Sequence, residues 1–366
     1  MMMNSYLQID LQALRDNVET LRKELGPDVK LIPVIKGDAY GLGAVRLAQA
    51  LNEMGGIDTF AVSQVAEGIA LRQAGIKQQI LVMSLPLDSQ TEAAVEQNLT
   101  LTLGSFRQFP LFRSLAQKLQ RQIPVSLKLD SGLHRIGFLP EELDPLIDAL
   151  KASERELTVT DTFSHFSDAT EEGMKQQGER FRQVLEKLRA GGIDPGFCHI
   201  SSSAAIETSR DYMFDAVRIG RALMLDHPMA NSGRIREVAS LRCFLADIRE
   251  RQAGETLGYE NGIHIEKATR VGILSMGYGD GLDPALALAG APVLIRGQRA
   301  KFLGCCMDQS FVDLDALDCA VGDPVTLFGY DEDGGFLSAQ EVAARIGCEG
   351  CDLTVRLTNR VERVYL

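Results

Sequence analysis

Leu31-Ile32-Pro33-Val34-Ile35-Lys36-Gly37-Asp38-Ala39-Tyr40-Gly41-Leu42-Gly43 is the stretch around which the chain is organised. The apolar run Leu31 to Ile35 reads as a buried strand, a glycine-rich turn follows, and a helical pattern runs from about Ala44 to Met54. A lysine closes the strand. At the mouth of a buried strand Lys36 is expected to be partly desolvated, which disfavours its charged form and suits a Schiff-base amine. The plainer alternative is a snorkelling lysine at a strand end.

Outward from this unit, the same order of short apolar run and longer amphipathic segment repeats. Apolar runs fall near 31–35, 58–62, 80–83, 99–103, 124–129, 158–163, 197–200 and 215–219, with helical patterns between them, as at 64–74, 105–119, 141–152 and 172–190. Eight strands alternating with helices over this length predict a (β/α)8 TIM-type barrel. A doubly wound sheet is the competing fold, but no Gly-x-Gly-x-x-Gly follows an early strand. After about residue 235 the texture changes to strand-like runs at 238–248, 269–275, 292–296, 301–306 and 324–328, a short helix from Leu337 to Ile346, and a closing strand from Thr354 to Val364. The expected organisation is a barrel domain over 1–235 and a mostly-β C-terminal domain over 236–366, with the strand Ser5 to Ile9 a candidate to join the second.

Bulk composition narrows the function. A net charge of -12 argues against nucleic acid as a partner, since phosphate backbones need basic patches. The start, Met1 to Ser5, has no basic segment leading into an apolar one, and no run of about 18 apolar residues occurs. Neither a signal peptide nor a membrane span is therefore expected, and the expected location is cytoplasmic. Six of the seven cysteines follow residue 240, including Cys305-Cys306 and Cys348-Glu349-Gly350-Cys351. A second half of a zinc site is not evident, so reduced thiols and no metal are expected.

The lysine stretch resembles the pyridoxal-phosphate motif of the alanine racemase family, in which lysine precedes a small residue, a polar residue, Ala-Tyr-Gly, a variable residue and Gly. The resemblance implies that Lys36 carries the cofactor pyridoxal 5'-phosphate and that Tyr40 bonds its phosphate. Further matches sit just after predicted barrel strands, the catalytic end of such a barrel. Lys128-Leu129-Asp130-Ser131-Gly132-Leu133-His134-Arg135-Ile136-Gly137 is similar to the family's Lys-x-Asp-Thr-Gly-Met-x-Arg-x-Gly. It implies that Arg135 holds the cofactor phenolate oxygen and the substrate carboxylate, a task suited to the guanidinium fork. It also implies Lys128 as a carbamylation site. Phe163-Ser164-His165 places His165 as a support or stacking group at the pyridine end. His199-Ile200-Ser201-Ser202-Ser203-Ala204 resembles His-x-x-Asn-Ser-Ala and assigns Ser203 to the phosphate. Val217-Arg218-Ile219-Gly220 resembles Val-Arg-x-Gly. Arg218 then faces the pyridine nitrogen and, because arginine does not surrender its proton, keeps that nitrogen unprotonated. Gly220 and Ala222 complete the phosphate cradle. Arg221 is unusual at a small apolar position.

In the second domain, Gly258-Tyr259 sits where the family carries a Ser-Tyr-Gly base. Met276 to Gly281 resembles its Gly-Tyr-Ala-Asp-Gly loop. Cys306-Met307-Asp308-Gln309 resembles the turn that binds the substrate carboxylate, with Met307 and Asp308 the implied contacts. The implied reaction is interconversion of L- and D-alanine by two bases, Lys36 on one face and Tyr259 on the other. A phenol is ordinarily too weak an acid for that work at neutral pH, so the site must favour the phenolate. In the family the tyrosine comes from the neighbouring subunit, which implies a homodimer with composite sites. Two departures touch substrate choice. Cys351 and Leu282 stand where gate tyrosines are usual, which removes two bulky phenols and implies a roomier pocket that accepts serine or a larger amino acid beside alanine. A decarboxylase on the same barrel, or a non-catalytic cofactor-binding protein, are the other readings. The first lacks its acidic Cys-containing loop here. The second is disfavoured by the β domain and Tyr259.

Overall fold

The computed structural model describes residues 3–206, 208–225, 233–258, 262–315 and 317–366. Tyr259 lies outside the described residues. Two compact units are present: one comprises Glu19–Ala39 and Ala44–Gly220, the other Met1–Val18, Tyr40–Gly43 and Arg221–Leu366.

The first unit is the barrel. After β1 (Ser5–Ile9), which belongs to the other unit, its strands are β2 (Lys30–Pro33), β3 (Thr59–Val62), β4 (Gln79–Val82), β5 (Thr100–Leu103), β6 (Ile123–Lys128), β7 (Leu157–Phe163), β8 (Phe197–His199) and β9 (Ala216–Ile219). Strands β3 to β8 form one parallel ladder in chain order, and β2 pairs with β9. The bridge Val34–Ala61 joins β2 to β3, and Ser202–Arg218 joins β8 to β9, so eight parallel strands close into a ring. Small and branched side chains, Ile32, Val34, Ala61, Leu81 and Ala216, fill part of its interior. That packing is what a barrel of this size requires. One ladder is irregular. Between Val125–Val159 and Ser126–Asp161 the register of β6 and β7 slips, leaving Thr160 as an extra residue in β7. Such a bulge re-aims the side chains that follow it.

The second unit is antiparallel. Its main strands are β10 (Ala239–Arg251), the short pair β11 (Thr256–Leu257) and β12 (Ile263–His264), β13 (Thr269–Leu274), β14 (Pro292–Ile295), β15 (Gln298–Cys305), β16 (Ser310–Asp313), β17 (Pro324–Tyr330), β18 (Phe336–Leu337) and β19 (Glu362–Tyr365). The order β17-β14-β15-β16-β13-β10, with β10 returning to pair with β17, closes a six-stranded barrel. Closure leaves those strands no open edge. β1 pairs antiparallel with β10 and parallel with β19.

The segment expected as a strand from Thr354 to Val364 differs. Gly350–Val355 is a helix, and only Glu362–Tyr365 is extended. Its start is set by polar side chains: Asp352 accepts the Glu349 amide at 3.0 Å and Gln340 accepts the Gly350 amide at 3.1 Å. These caps satisfy amides that a helix leaves open, and they outweigh the β-branched content that suggested a strand. Among the described residues no helix is long and apolar enough to cross a membrane.

Candidate active site

The turn after β2 is built from an unusual backbone. Gly37, Asp38, Ala39 and Tyr40 follow one another at φ of +53 to +61°, a left-handed run that only glycine adopts without strain. Side chains pin it. The Gly37 amide donates to Glu67 Oε1 at 2.6 Å, and the Ala44 amide donates to Asp38 Oδ1 at 2.7 Å. The other Glu67 oxygen accepts the amides of Ser63 and Gln64 at 2.8 and 2.9 Å. Lys36 itself is exposed, which corrects the expectation that the strand end desolvates it. The strand's burial stops at Ile35, and Lys36 extends past it from the C-terminal end of the barrel.

Arg218, on β9, is 3% exposed and organises a polar centre there. Its Nη1 donates to His199 Nδ1 at 2.6 Å and to the His199 carbonyl at 3.3 Å. Its Nη2 donates to the Ser164 and Ile200 carbonyls at 2.8 and 3.1 Å and to His165 Nδ1 at 3.0 Å. Arginine is a donor only, so both histidines accept on Nδ1 and keep their proton on Nε2. Among the described residues the hydrogen bonds of Arg218 all run from Nη1 and Nη2, and none runs from Nε–H. Burial, partly offset by Asp161 and reinforced by Arg135, brings the Arg218 guanidinium down to about 10, still protonated at neutral pH.

Cations converge on His165. Burial, then the charges of Arg218, Arg135, Lys128 and Lys36, push its imidazole down to about 3. Lys128, at 2% exposure, is brought to about 7 by burial first and then by Arg218, with Asp130 opposing and Arg135 adding. Its ammonium donates to the Leu129 carbonyl at 2.6 Å and lies over the Phe163 ring. The loop that carries Arg135 is wound on Asp130, whose carboxylate accepts the amides of Gly132, His134 and Arg135 at 2.8, 3.1 and 3.2 Å. Asp130-Ser131-Gly132, legible as a plain turn, is therefore the brace of Arg135, whose side chain is exposed. After β8, Ser203 opens a short helix and its hydroxyl accepts the Gly220 amide at 3.3 Å.

Tyr40, assigned to the second unit, is half-buried. Burial, the strongest influence, and Cys351 push its phenol up to about 12, with Arg221 opposing. It stays a donor at any physiological pH. Ala222 is buried in the helix Arg221–Met224. Arg221 pairs with Glu349 at 2.7 Å, which accounts for the arginine that the sequence left unexplained. In the same unit, Met276–Gly281 is clamped to the Cys306–Gln309 turn: the Tyr278 and Gly279 amides donate to the carbonyls of Cys306 and Met307 at 3.0 and 2.8 Å. A Cβ on Gly277 would lie 2.3 Å from the Cys306 carbonyl, so only glycine permits this approach. Met307 is exposed, and Asp308 pairs with Arg360 at 2.8 Å. Cys351 sits in the helix Gly350–Val355. Leu282 differs from the expected gate: it is 6% exposed and lines an apolar pocket with Leu286, Phe302, Phe328 and Leu353. It fills the core of its own unit.

Two participants were not singled out from the sequence. Asp161 and Glu67 each carry a buried or shared carboxylate that braces a site residue. The signal for Asp161 was present, a lone acid inside an apolar and threonine-rich strand, since unpaired acids are almost never fully buried. Among the described residues no group of histidine, cysteine and acidic side chains is arranged to hold a metal, and none of the seven cysteines is in a disulfide.

A parallel barrel whose C-terminal rim gathers a lysine, buried cations and neutral histidines, carried with an antiparallel β unit, defines a two-part barrel class with a cation-lined mouth. Residues 9–228 match the family model "Alanine racemase, N-terminal domain" and residues 238–365 match "Alanine racemase, C-terminal domain". The alanine racemase of Carboxydothermus hydrogenoformans is 32% identical over 370 residues, covering 99% of each chain. The structure is also similar to the alanine racemase of the D-cycloserine producer Streptomyces lavendulae (TM-score 0.93, 30% identity, covering 100% of this chain and 98% of that one). It is likewise similar to the biosynthetic alanine racemase of Pseudomonas aeruginosa (TM-score 0.87, 32% identity, covering 100% of both). The chain belongs to the alanine racemase family, a family of isomerases that use pyridoxal 5'-phosphate.

Proposed function

We propose that this chain is a pyridoxal-phosphate-dependent racemase that interconverts L- and D-alanine by a two-base route, working as a homodimer. The observation that carries the reading is the buried Arg218 fork, whose hydrogen bonds among the described residues all run from Nη1 and Nη2, at the barrel end where Lys36 emerges. The residues fit the cofactor. Lys36 offers an exposed amine, Arg218 Nε a permanently charged donor for a ring nitrogen, and Ser203 with the Gly220 amide a pair of polar groups for a phosphate. Tyr40 adds a phenol that stays protonated, and Ala222 a further backbone amide. Around His165 the local field is positive although the chain is acidic overall, which suits a phosphate and a carboxylate.

Pyridoxal 5'-phosphate, when bound, supplies the electron sink that makes an amino acid's α-proton removable. Arg218 would hold the ring nitrogen by a donated hydrogen bond without giving up its proton, which would disfavour transamination. Arg135 holds the substrate carboxylate by its fork. Lys36 Nζ takes or returns a proton on one face of the α-carbon, and Tyr259 of the partner subunit does so on the other. His165, neutral and tied to Arg218, positions the pyridine end. Lys128, brought to about 7 by burial first and then by Arg218, has a substantial share of the free amine that reacts with carbon dioxide near pH 7, and a carbamate there would pair with Arg135.

A second substrate reading has support from Cys351, which places a small thiol where a phenol is usual. Serine or a larger amino acid is then accepted beside alanine, because a pocket rejects an added hydroxyl or methylene by only about 10–200-fold. A chiral screen of cofactor-loaded protein with L-alanine, L-serine, L-lysine, L-glutamate and L-leucine tests both. D-alanine from L-alanine, absent in Lys36→Ala, supports the racemase. Serine turnover at or above that of alanine, lost in Cys351→Tyr, moves the assignment to a serine or broad racemase. A Lys36→Ala protein as active as wild type contradicts the proposal.

A further inference from the structure

Asp161 belongs to no motif that identifies the family, yet its carboxylate is 0% exposed in the middle of β7. The bulge at Thr160 aims it into the barrel. Four side chains donate to it: Gln79 Nε2 at 3.0 Å, Thr160 Oγ1 at 2.8 Å, His199 Nε2 at 3.1 Å, and Ser126 Oγ. The histidine differs from the others because its second ring nitrogen faces Arg218 Nη1 at 2.6 Å. Phe163 and Phe197 stack on the His199 ring at centroid distances of 5.4 Å each, so the ring cannot turn aside.

We propose that Asp161 is a positioning residue for Arg218. Its carboxylate holds the His199 proton on Nε2, which leaves Nδ1 open to Arg218 Nη1 and locks the guanidinium through its Nη groups, with Nε–H outside those bonds. This rests on the racemase reading above, in which that donor serves the cofactor ring. The charge matters as well as the shape. Arg218 is buried near the charge of Arg135, and Asp161 is the acid that favours its protonated form. An asparagine at 161 would keep one acceptor but turn an NH2 toward converging donors, so the His199 Nε2–H would lose its charged acceptor and the ring its anchor.

The test begins with 15N spectra of histidine-labelled, cofactor-loaded protein, with His199→Gln assigning the signal. A His199 ring protonated on Nε2 alone supports the proposal; a proton on Nδ1 overturns it, whether or not any variant folds. Asp161→Asn should lower kcat roughly 10–100-fold, the range for groups that orient a functional residue, with KM changed less than about threefold. It should also raise the share of turnovers that end in keto acid and shift the absorption band of the bound cofactor. A lower melting temperature with kcat within about twofold and an unchanged band would make Asp161 a core polar group and overturn the inference. An inactive wild type overturns the racemase reading and this inference together; an active wild type matched by Asp161→Asn overturns the inference alone.

Discussion

His165 and His199 are both neutral in the fold, and the acid limb of stability follows from them. Burial is the main cause for each. It brings His199 to about 4 despite the Asp161 bond, and His165 to about 3 with help from Arg218 and the other cations. In the unfolded chain both take up a proton near pH 6.5, the ordinary imidazole value. The unfolded state therefore binds more protons in the window from about 6.5 down to about 4, and stability falls as pH falls through it. Urea unfolding at pH 7 and pH 5 should show that loss, and His199→Gln should flatten it; an unchanged slope would count against the neutral histidines. Tyr40 makes a separate prediction. Its phenol is a neutral donor, and a hydrogen bond to a charged acceptor is worth about 1.5–3 kcal/mol. Tyr40→Phe should weaken cofactor binding by about 10–100-fold in a fluorescence titration, while Tyr330→Phe, in β17, should not.

Two local devices decide the site's geometry at the scale of elements. The left-handed run Gly37 to Tyr40 costs about 1–2 kcal/mol for each of its three non-glycine residues. Glu67 and Asp38 hold it by hydrogen bonds to the amides of Gly37 and Ala44. The bulge at Thr160 depends on Gly196, whose φ is +63° and whose added Cβ would lie 2.1 Å from the Thr160 carbonyl. Gly196→Ala should cost roughly 2 kcal/mol or more in denaturant unfolding and should cut activity by displacing Asp161. Full stability in that variant would mean the bulge is not needed. These devices also mark where the sequence stopped being readable. Lys36, Arg218 and Ser203 were legible because they are chemistry-bearing residues next to apolar strands, in spacings that the family shares. The eight strand positions were legible from alternation of short apolar runs with helical periods. Asp161 was legible only as a lone acid in a threonine-rich strand, because the bulge shifts the inward face by one residue and leaves no periodic trace. The helix Gly350–Val355 was misread because its caps come from Gln340, well upstream, and from Asp352, inside it, rather than from the side chain of its own N-cap residue Glu349. The burial of Leu282 was not legible, because a one-residue comparison carries no information on packing.

At the scale of the whole molecule, the chain joins a parallel barrel and an antiparallel β unit, and the proposed chemistry draws on both. The unit that contains Met307 and the neighbours of Tyr259 exposes Leu288, Met307 and Tyr278. If the second base comes from a partner subunit, activity must depend on assembly. Specific activity should fall as the protein is diluted through the dimer's dissociation range, in step with the mass seen by sedimentation. Mixing inactive Lys36→Ala with inactive Tyr259→Phe should restore up to about a quarter of the wild-type sites, since one of the composite sites in a mixed dimer is intact. No recovery in stable mixed dimers would place both bases on one chain.

The most direct measurement is racemisation of L-alanine in deuterium oxide by the cofactor-loaded protein, followed by chiral separation and mass spectrometry. Two bases on opposite faces, each exchanging with solvent, require that D-alanine appear carrying deuterium at the α-carbon and that the mixture approach equal amounts of both forms. Absence of D-alanine, or D-alanine that has kept its α-hydrogen, would contradict a two-base racemase built on Lys36 and Tyr259.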